Sequence, residues 1–220
     1  MQTPASRLAA LEAVLFDLDG TLIDSVGLIL ASFRYATETV LGEALPDDVM
    51  MRDVGLPLAR QMRDFSADHA EELLRVYREH NARWHDELVR AYPETAETLV
   101  WLAARGLRLG VVTSKHQAMA RRGLDVFDLA RFFDVVVGAD DVTQHKPDPH
   151  PLLVAAETLG VPIERCAYVG DSPHDMAAAR AAGCVAIAAT WGIGTREALV
   201  AAGAELMLGS MVEVREAFDA

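Results

Sequence analysis

Cysteine is scarce in this chain: only Cys166 and Cys184 occur among 220 residues. Their spacing suits no metal site and both sit in apolar, strand-like runs. They read as small buried hydrophobes, which sets aside a disulfide scaffold and a cysteine-bound metal. Basic residues are also few, with 20 Lys and Arg against 33 Asp and Glu, a net charge of −13. No basic patch stands out to meet a phosphate backbone, so nucleic acid is not expected as a partner. A small phosphorylated ligand stays compatible with that charge, because a metal and a few local cations reverse the sign of a pocket. No stretch approaches a membrane span, and no cationic segment followed by an apolar core opens the chain. The expectation is a cytoplasmic protein without a membrane partner, as a monomer or a dimer. Repeats and low-complexity tracts are missing too. Apolar residues make up 51% of the sequence, enough to build a core and to exclude global disorder.

The most informative stretch is Phe16-Asp17-Leu18-Asp19-Gly20-Thr21-Leu22. The apolar run Ala13 to Phe16 reads as a buried strand, and a period of two sends Asp17 and Asp19 to the same side of its tip. Gly20 lets the chain turn beside them. Two like charges this close are costly unless a cation holds them or one keeps its proton. A solvated turn, a metal site, and a nucleophile with an acid/base partner all fit that pattern.

From Asp24-Ser25 to about residue 90 the pattern is helix after helix, broken near Pro46 and Gly55-Leu56-Pro57. Beyond Tyr92 strand and helix alternate. Apolar runs fall at Leu107 to Val112, Phe133 to Val137, Cys166 to Val169 and Cys184 to Ala189. Alternation of this kind predicts an α/β fold with a parallel, Rossmann-like sheet whose strand C-termini share one edge. The expected division is a core of residues 1–24 and 91–220, with residues 25–90 inserted as a small helical cap beside that edge. Chemistry-bearing groups collect at the strand ends: Asp17 and Asp19, Thr113-Ser114, Lys146-Pro147-Asp148-Pro149, and Gly170-Asp171-Ser172-Pro173-His174-Asp175.

This set, in this order, resembles the haloacid dehalogenase superfamily of phosphohydrolases over residues 13 to about 190, and the helical insertion resembles that family's type 1 cap. The resemblance implies Asp17 as a nucleophile that forms an aspartyl-phosphate, and Asp19 as general acid and then base. It implies Thr113, with Ser114 the competing candidate, as a hydrogen-bond donor to the phosphoryl group, and Lys146 as its counter-charge. Mg²⁺ would be held by Asp17, the Asp19 backbone carbonyl and Asp171, with Asp175 supporting it from behind. Gly20 would position the turn at the substrate. Within the superfamily the chain is similar to the phosphoglycolate phosphatase group and its bacterial pyrophosphatase branch, through Tyr77 to Asn81, His85 to Val89, Phe132 to Val137 and Asp140-Asp141-Val142. Residues 172–174 read Ser-Pro-His, where that branch more often has Asn-His-His. The implied activity is hydrolysis of a small phosphorylated metabolite, pyrophosphate or 2-phosphoglycolate. A sugar-phosphate mutase and a non-catalytic regulatory module that kept the fold are the alternatives.

Specificity is expected in the cap. Arg78 and His85 lie seven positions apart on one helix and are expected to face an anionic substrate together. Arg52, Arg60 and Arg63 are further cap cations that read equally well as a solvated face. His145 and His174 are expected at the surface or against substrate, and Trp191 as packing.

Overall fold

The computed structural model describes residues 7–219. Six parallel strands form one sheet: β1 (Ala13–Phe16), β4 (Arg108–Val112), β5 (Val135–Val137), β6 (Cys166–Gly170), β7 (Val185–Ala189) and β8 (Leu206–Leu208). Their spatial order is β5-β4-β1-β6-β7-β8. Register is fixed at the centre, where Phe16 lies beside Val111 on one side and Val169 on the other. Chain order runs outward from β1 through β4 to β5, then returns to β6 and runs outward the other way. The sheet therefore has its topological switch point between β1 and β6, and in such sheets the crevice at that point is where ligands bind.

The pleat sorts the core into two layers. Val14 and Phe16 of β1 pack with Leu99, Leu102, Leu124 and Val214 on one face. Ala13 and Leu15 pack with Leu152, Ala156, Met176 and Ala179 on the other. Helices cover both faces, as a fully buried parallel sheet requires. Pro173–Ala182, which starts directly after β6, opens with a capping box between Ser172 and Asp175.

Between β1 and β4 lie the helices Val26–Leu41, Asp47–Met51, Leu58–Phe65 and Ala70–Leu88. They share a third apolar cluster, with Phe33 at its centre between Phe65 (ring centroids 5.3 Å apart) and Tyr77 (4.8 Å). Two short strands that the sequence pattern did not announce tie this block to the sheet. β2 (Ile23–Asp24) and β3 (Arg90–Ala91) pair antiparallel, Ile23 with Ala91 and Asp24 with Arg90. The outgoing and returning chains thus cross side by side. The strand Leu206–Leu208 and the helix Met211–Asp219 are also additions to the sequence expectation. Among the described residues no helix is long and apolar enough to cross a membrane.

Candidate active site

β1 ends at Phe16, and Asp17 follows with its N–H bonded to the Val169 carbonyl at 2.8 Å. That bond continues the β1–β6 ladder and places the Asp17 carboxylate at the switch point. Its Oδ1 accepts the Leu18 N–H at 2.7 Å, and its Oδ2 lies 3.1 Å from Lys146 Nζ. Asp17 is 4% exposed. Burial pushes its pKa up to about 7; Lys146 and the Leu18 N–H pull against that, while Asp175 and Asp19 add to it.

Lys146 is equally buried and fully committed. Its ammonium reaches Asp17 at 3.1 Å, Asp175 Oδ1 at 2.6 Å and the Tyr168 hydroxyl at 3.1 Å. Burial works against its charge, yet the two carboxylates hold it above the ordinary lysine range. Tyr168, in the centre of β6, donates its own proton to the Val112 carbonyl at 2.8 Å. Asp175 also takes the Ser172 N–H (2.9 Å) and Ser172 hydroxyl (2.6 Å) on Oδ2. Burial alone would raise Asp175; Lys146 and Ser172 outweigh it and hold the carboxyl below its usual value.

Asp171 stands opposite. Thr21 Oγ1 donates to its Oδ1 at 3.2 Å and the Ile193 N–H to its Oδ2 at 2.9 Å. Burial, with Asp175 and Asp17 adding to it, raises its pKa well above the usual carboxylate range. Asp17, Asp171 and Asp175 each bring an oxygen within 4.8 Å of the others. Three buried carboxylates face one ammonium, so burial first and the neighbouring carboxylates second push Asp17 and Asp171 up, and negative charge is left short of a partner. A hard divalent cation fits that deficit and this all-oxygen donor set. Asp175 does not line the cavity above these groups, and its two oxygens take Lys146 and the two donors of Ser172. Asp17 and Asp171 do line it, each of their oxygens has one partner, and they are the carboxylates placed to give a further lone pair to a cation. Among the described residues no backbone N–H donates to the Asp19 carbonyl, which is thus also available.

Two glycines make room for Asp171. A Cβ on Gly20 would fall 2.1 Å from Asp171 Oδ2, and Gly20 also has φ +78°. A Cβ on Gly192 would lie 2.3 Å from the same oxygen. Gly20 therefore serves the carboxylate and does not line the cavity beside it. Trp191 fixes the second loop by donating from Nε1 to the Thr21 carbonyl at 3.0 Å, and it packs edge-on against Tyr92.

Asp19 is built differently from Asp17. Its Oδ1 accepts both the Ser25 hydroxyl and Lys115 Nζ, each at 2.6 Å. Burial would raise its pKa, but Lys115 and Ser25 hold it below the ordinary value. The sequence reading missed Lys115, although it directly follows Thr113-Ser114 at the end of β4. Thr113 N–H extends the sheet to the Val137 carbonyl (2.9 Å) and its Oγ1 accepts the Lys115 N–H (3.3 Å). Ser114 turns away from that position and donates to the Gly55 carbonyl at 2.6 Å.

A cavity of about 510 Å³ opens above these groups, walled by Asp17, Asp19, Thr113 and Asp171 below and by Phe33 and Tyr77 of the helical block above. Arg78 lines it, from the exposed side of its helix. His85 does not join it: its Nδ1 is 2.7 Å from Asp86 Oδ1, and its ring faces Gly123 of the helix Gln117–Val126. Arg122 of that helix clamps Asp86 at 2.9 Å, so His85 belongs to a contact between helices. Burial pushes its pKa down. Arg78 and His85 are not brought together: seven residues turn the helix by only about 20° from a common face but set the two side chains about 10 Å apart along the axis, where one meets the cavity and the other the helix Gln117–Val126. His145 lines the cavity, whereas Arg52, Arg60, Arg63 and His174 do not.

A family model for haloacid dehalogenase-like hydrolases matches residues 14–189. The chain is 42% identical over 181 residues to a PpaX relative from Caldanaerobacter subterraneus subsp. tengcongensis, covering 82% of each chain. It is 36% identical over 202 residues to Pyrophosphatase PpaX of Bacillus velezensis, covering 92% of this chain and 94% of that one. Among solved structures, a hydrolase from Pseudomonas syringae superposes with a TM-score of 0.86 at 27% identity, over 94% of this chain and 98% of the other. The chain belongs to the haloacid dehalogenase-like hydrolase family. It is an enzyme of the hydrolase class, with the phosphatases of that family as its relatives.

Proposed function

We propose that this protein is a Mg²⁺-dependent phosphohydrolase that works through an aspartyl-phosphate on a small phosphorylated metabolite, pyrophosphate or 2-phosphoglycolate, in the cytoplasm. The observation that carries this reading is the convergence of Asp17, Lys146, Asp171 and Asp175 at the switch point of the sheet. The PpaX relatives, named as pyrophosphatases, support pyrophosphate in particular.

In this reading Asp17 attacks phosphorus through its carboxylate while the bond to the leaving oxygen breaks. Asp19 gives that oxygen a proton, then takes one from the water that cleaves the phosphoryl–Asp17 bond and releases orthophosphate. Acting as an acid requires Lys115 to let go of Asp19, since their ion pair keeps the carboxylate charged. Lys146 counters charge on the phosphoryl oxygens from the back of the site, and the Thr113 hydroxyl is free to donate to one of them. Asp17, Asp171 and the Asp19 carbonyl are the groups that would hold Mg²⁺, whose charge favours ionised Asp17 and draws in the phosphoryl oxygens. Residues 25–90 act as a cap that shuts water out until the leaving group has gone. The β2–β3 ribbon at its root is the natural pivot.

The test is orthophosphate release from pyrophosphate, 2-phosphoglycolate and a generic aryl phosphate, with and without Mg²⁺, by the natural protein and by Asp17→Asn. Metal-dependent release that Asp17→Asn abolishes without loss of fold supports the reading. Undiminished turnover by Asp17→Asn contradicts it.

A further inference from the structure

The catalytic edge carries two lysines with opposite circumstances. Lys146 spends its ammonium on three partners, at 2.6 to 3.1 Å, and does not face the cavity. Lys115 does face it, with a side chain 13% exposed. Its backbone is pinned at both ends: its N–H donates to Thr113 Oγ1 at 3.3 Å and its carbonyl accepts the Ala139 N–H at 2.9 Å. The ammonium itself has a single partner among the described residues, Asp19 Oδ1 at 2.6 Å, so two of its N–H groups are uncommitted. The far side of the cavity offers Ile29, Phe33, Leu58 and Tyr77, none of them charged; among the described residues its wall carries one other lysine or arginine, Arg78 at an exposed position, besides the imidazoles of His116 and His145.

We propose that Lys115 selects the leaving group, by binding a negative group carried on the far side of the oxygen that Asp19 protonates. The inference rests on the phosphohydrolase reading above and adds to it the residue that reads the substrate, through the feature pyrophosphate and 2-phosphoglycolate share: a leaving group that is itself anionic. The geometry is direct. An ammonium in contact with Asp19 is one hydrogen bond from the leaving oxygen and within reach of whatever that oxygen is bonded to. In a site lined by Asp17, Asp19 and Asp171, an anionic leaving group would be repelled without a cation at this place. Lys115 touches substrate in this account, so it is a specificity residue and more than a prop for Asp19.

The experiment compares natural protein, Lys115→Met, Lys115→Gln and Lys115→Arg, all with Mg²⁺, on pyrophosphate, 2-phosphoglycolate and phenyl phosphate, whose leaving group carries no second charge. Loss of a charge-assisted contact predicts that kcat/KM falls about 10- to 100-fold on the first two substrates in the Met and Gln variants, mostly through KM. Whatever the broken Asp19 ion pair does to all three substrates alike, the fall on phenyl phosphate is at least about 10-fold smaller than on the other two, and Lys115→Arg recovers most of that difference. Equal losses on all three substrates mean that Lys115 only positions Asp19, and overturn the proposal. If the natural protein releases no phosphate from any of them, the phosphohydrolase reading itself fails and takes this inference with it.

Discussion

The Ser114 hydroxyl donates to the Gly55 carbonyl at 2.6 Å, joining the end of β4 to a loop of the helical block. Gly55 has φ +105°, and a Cβ there would come within 2.9 Å of Ser172 Oγ. The loop thus rests on two strand ends at once, with glycine required both by conformation and by space. Ser114→Ala removes one hydrogen bond and is expected to cost about 1 kcal/mol and to raise KM severalfold, with kcat less affected. Gly55→Ala adds backbone strain to a close contact and is expected to cost about 1–3 kcal/mol more. Steady-state kinetics and urea midpoints check both. A Gly55→Ala protein as good as Ser114→Ala would show that the loop does not sit down on Ser172.

Asp17 and Asp175 predict opposite responses to the same substitution. Asp175 is stabilised as an anion by Lys146 and Ser172, so Asp175→Asn leaves a buried ammonium short of a partner and is expected to cost about 3 kcal/mol. Asp17 is pushed up by burial and by its carboxylate neighbours. Asp17→Asn relieves that conflict, so it is expected to leave metal-free stability unchanged or higher. Urea unfolding in chelator decides, and the reverse order of stabilities would contradict the charge balance drawn for the site.

The same shift fixes a pH dependence. The folded pKa of Asp17 is about 7 against an ordinary 3.8, so the folded state holds the proton longer than the unfolded chain. Its contribution to stability is complete below the unfolded value and disappears as pH rises through about 7. Asp171, also raised, acts in the same direction. Metal-free protein is expected to melt at lower temperature at pH 8 than at pH 5.5, from these groups, and added Mg²⁺ to recover more at pH 8. At a concentration 100 times its dissociation constant a bound ion is worth about 2.7 kcal/mol. Thermal melts at the two pH values, with and without Mg²⁺, measure this; a Mg²⁺ gain that is larger at pH 5.5 would contradict it.

Gly20→Ala places a methyl group where Asp171 Oδ2 now lies, at a positive φ. Asp171 must then move from its Thr21 and Ile193 partners. The expected result is a loss of about 1–3 kcal/mol together with at least a tenfold weaker Mg²⁺ response. Isothermal titration with Mg²⁺ checks the second part. Unchanged affinity would mean that Asp171 is not a donor.

Much of this was legible in the residues. Apolar runs ending in Asp17, Thr113 and Asp171 marked strands and their chemical ends together, because a buried parallel strand has little choice but to be apolar throughout. The helix Pro173–Ala182 starts at the proline that follows Asp171-Ser172, while the Ser172–Asp175 box that caps it emerges only from the structure. The paired strands β2 and β3 were not legible, since two residues carry no periodicity. Nor was Leu206–Leu208, an edge strand that is only partly buried. Lys115 escaped because a lysine after Thr113-Ser114 reads as an ordinary loop cation until the fold brings Asp19 to it from 96 residues away. Gly192 and Tyr168 were hidden for the same reason: what each one touches is set by the sheet and not by its neighbours in sequence. His85 was misplaced by reasoning from a helical wheel, which gives a face but not which partner that face meets.

The central claim is that Asp17 carries the phosphoryl group. Rapid quenching of the natural protein during turnover of pyrophosphate with Mg²⁺, followed by borohydride reduction and peptide mass analysis, reads this directly. Conversion of residue 17 to homoserine, in that peptide and at no other carboxylate, is the predicted result. Turnover that leaves Asp17 unmodified at every quench time while phosphate accumulates, or label that appears on Asp19 or Asp171 instead, would contradict it.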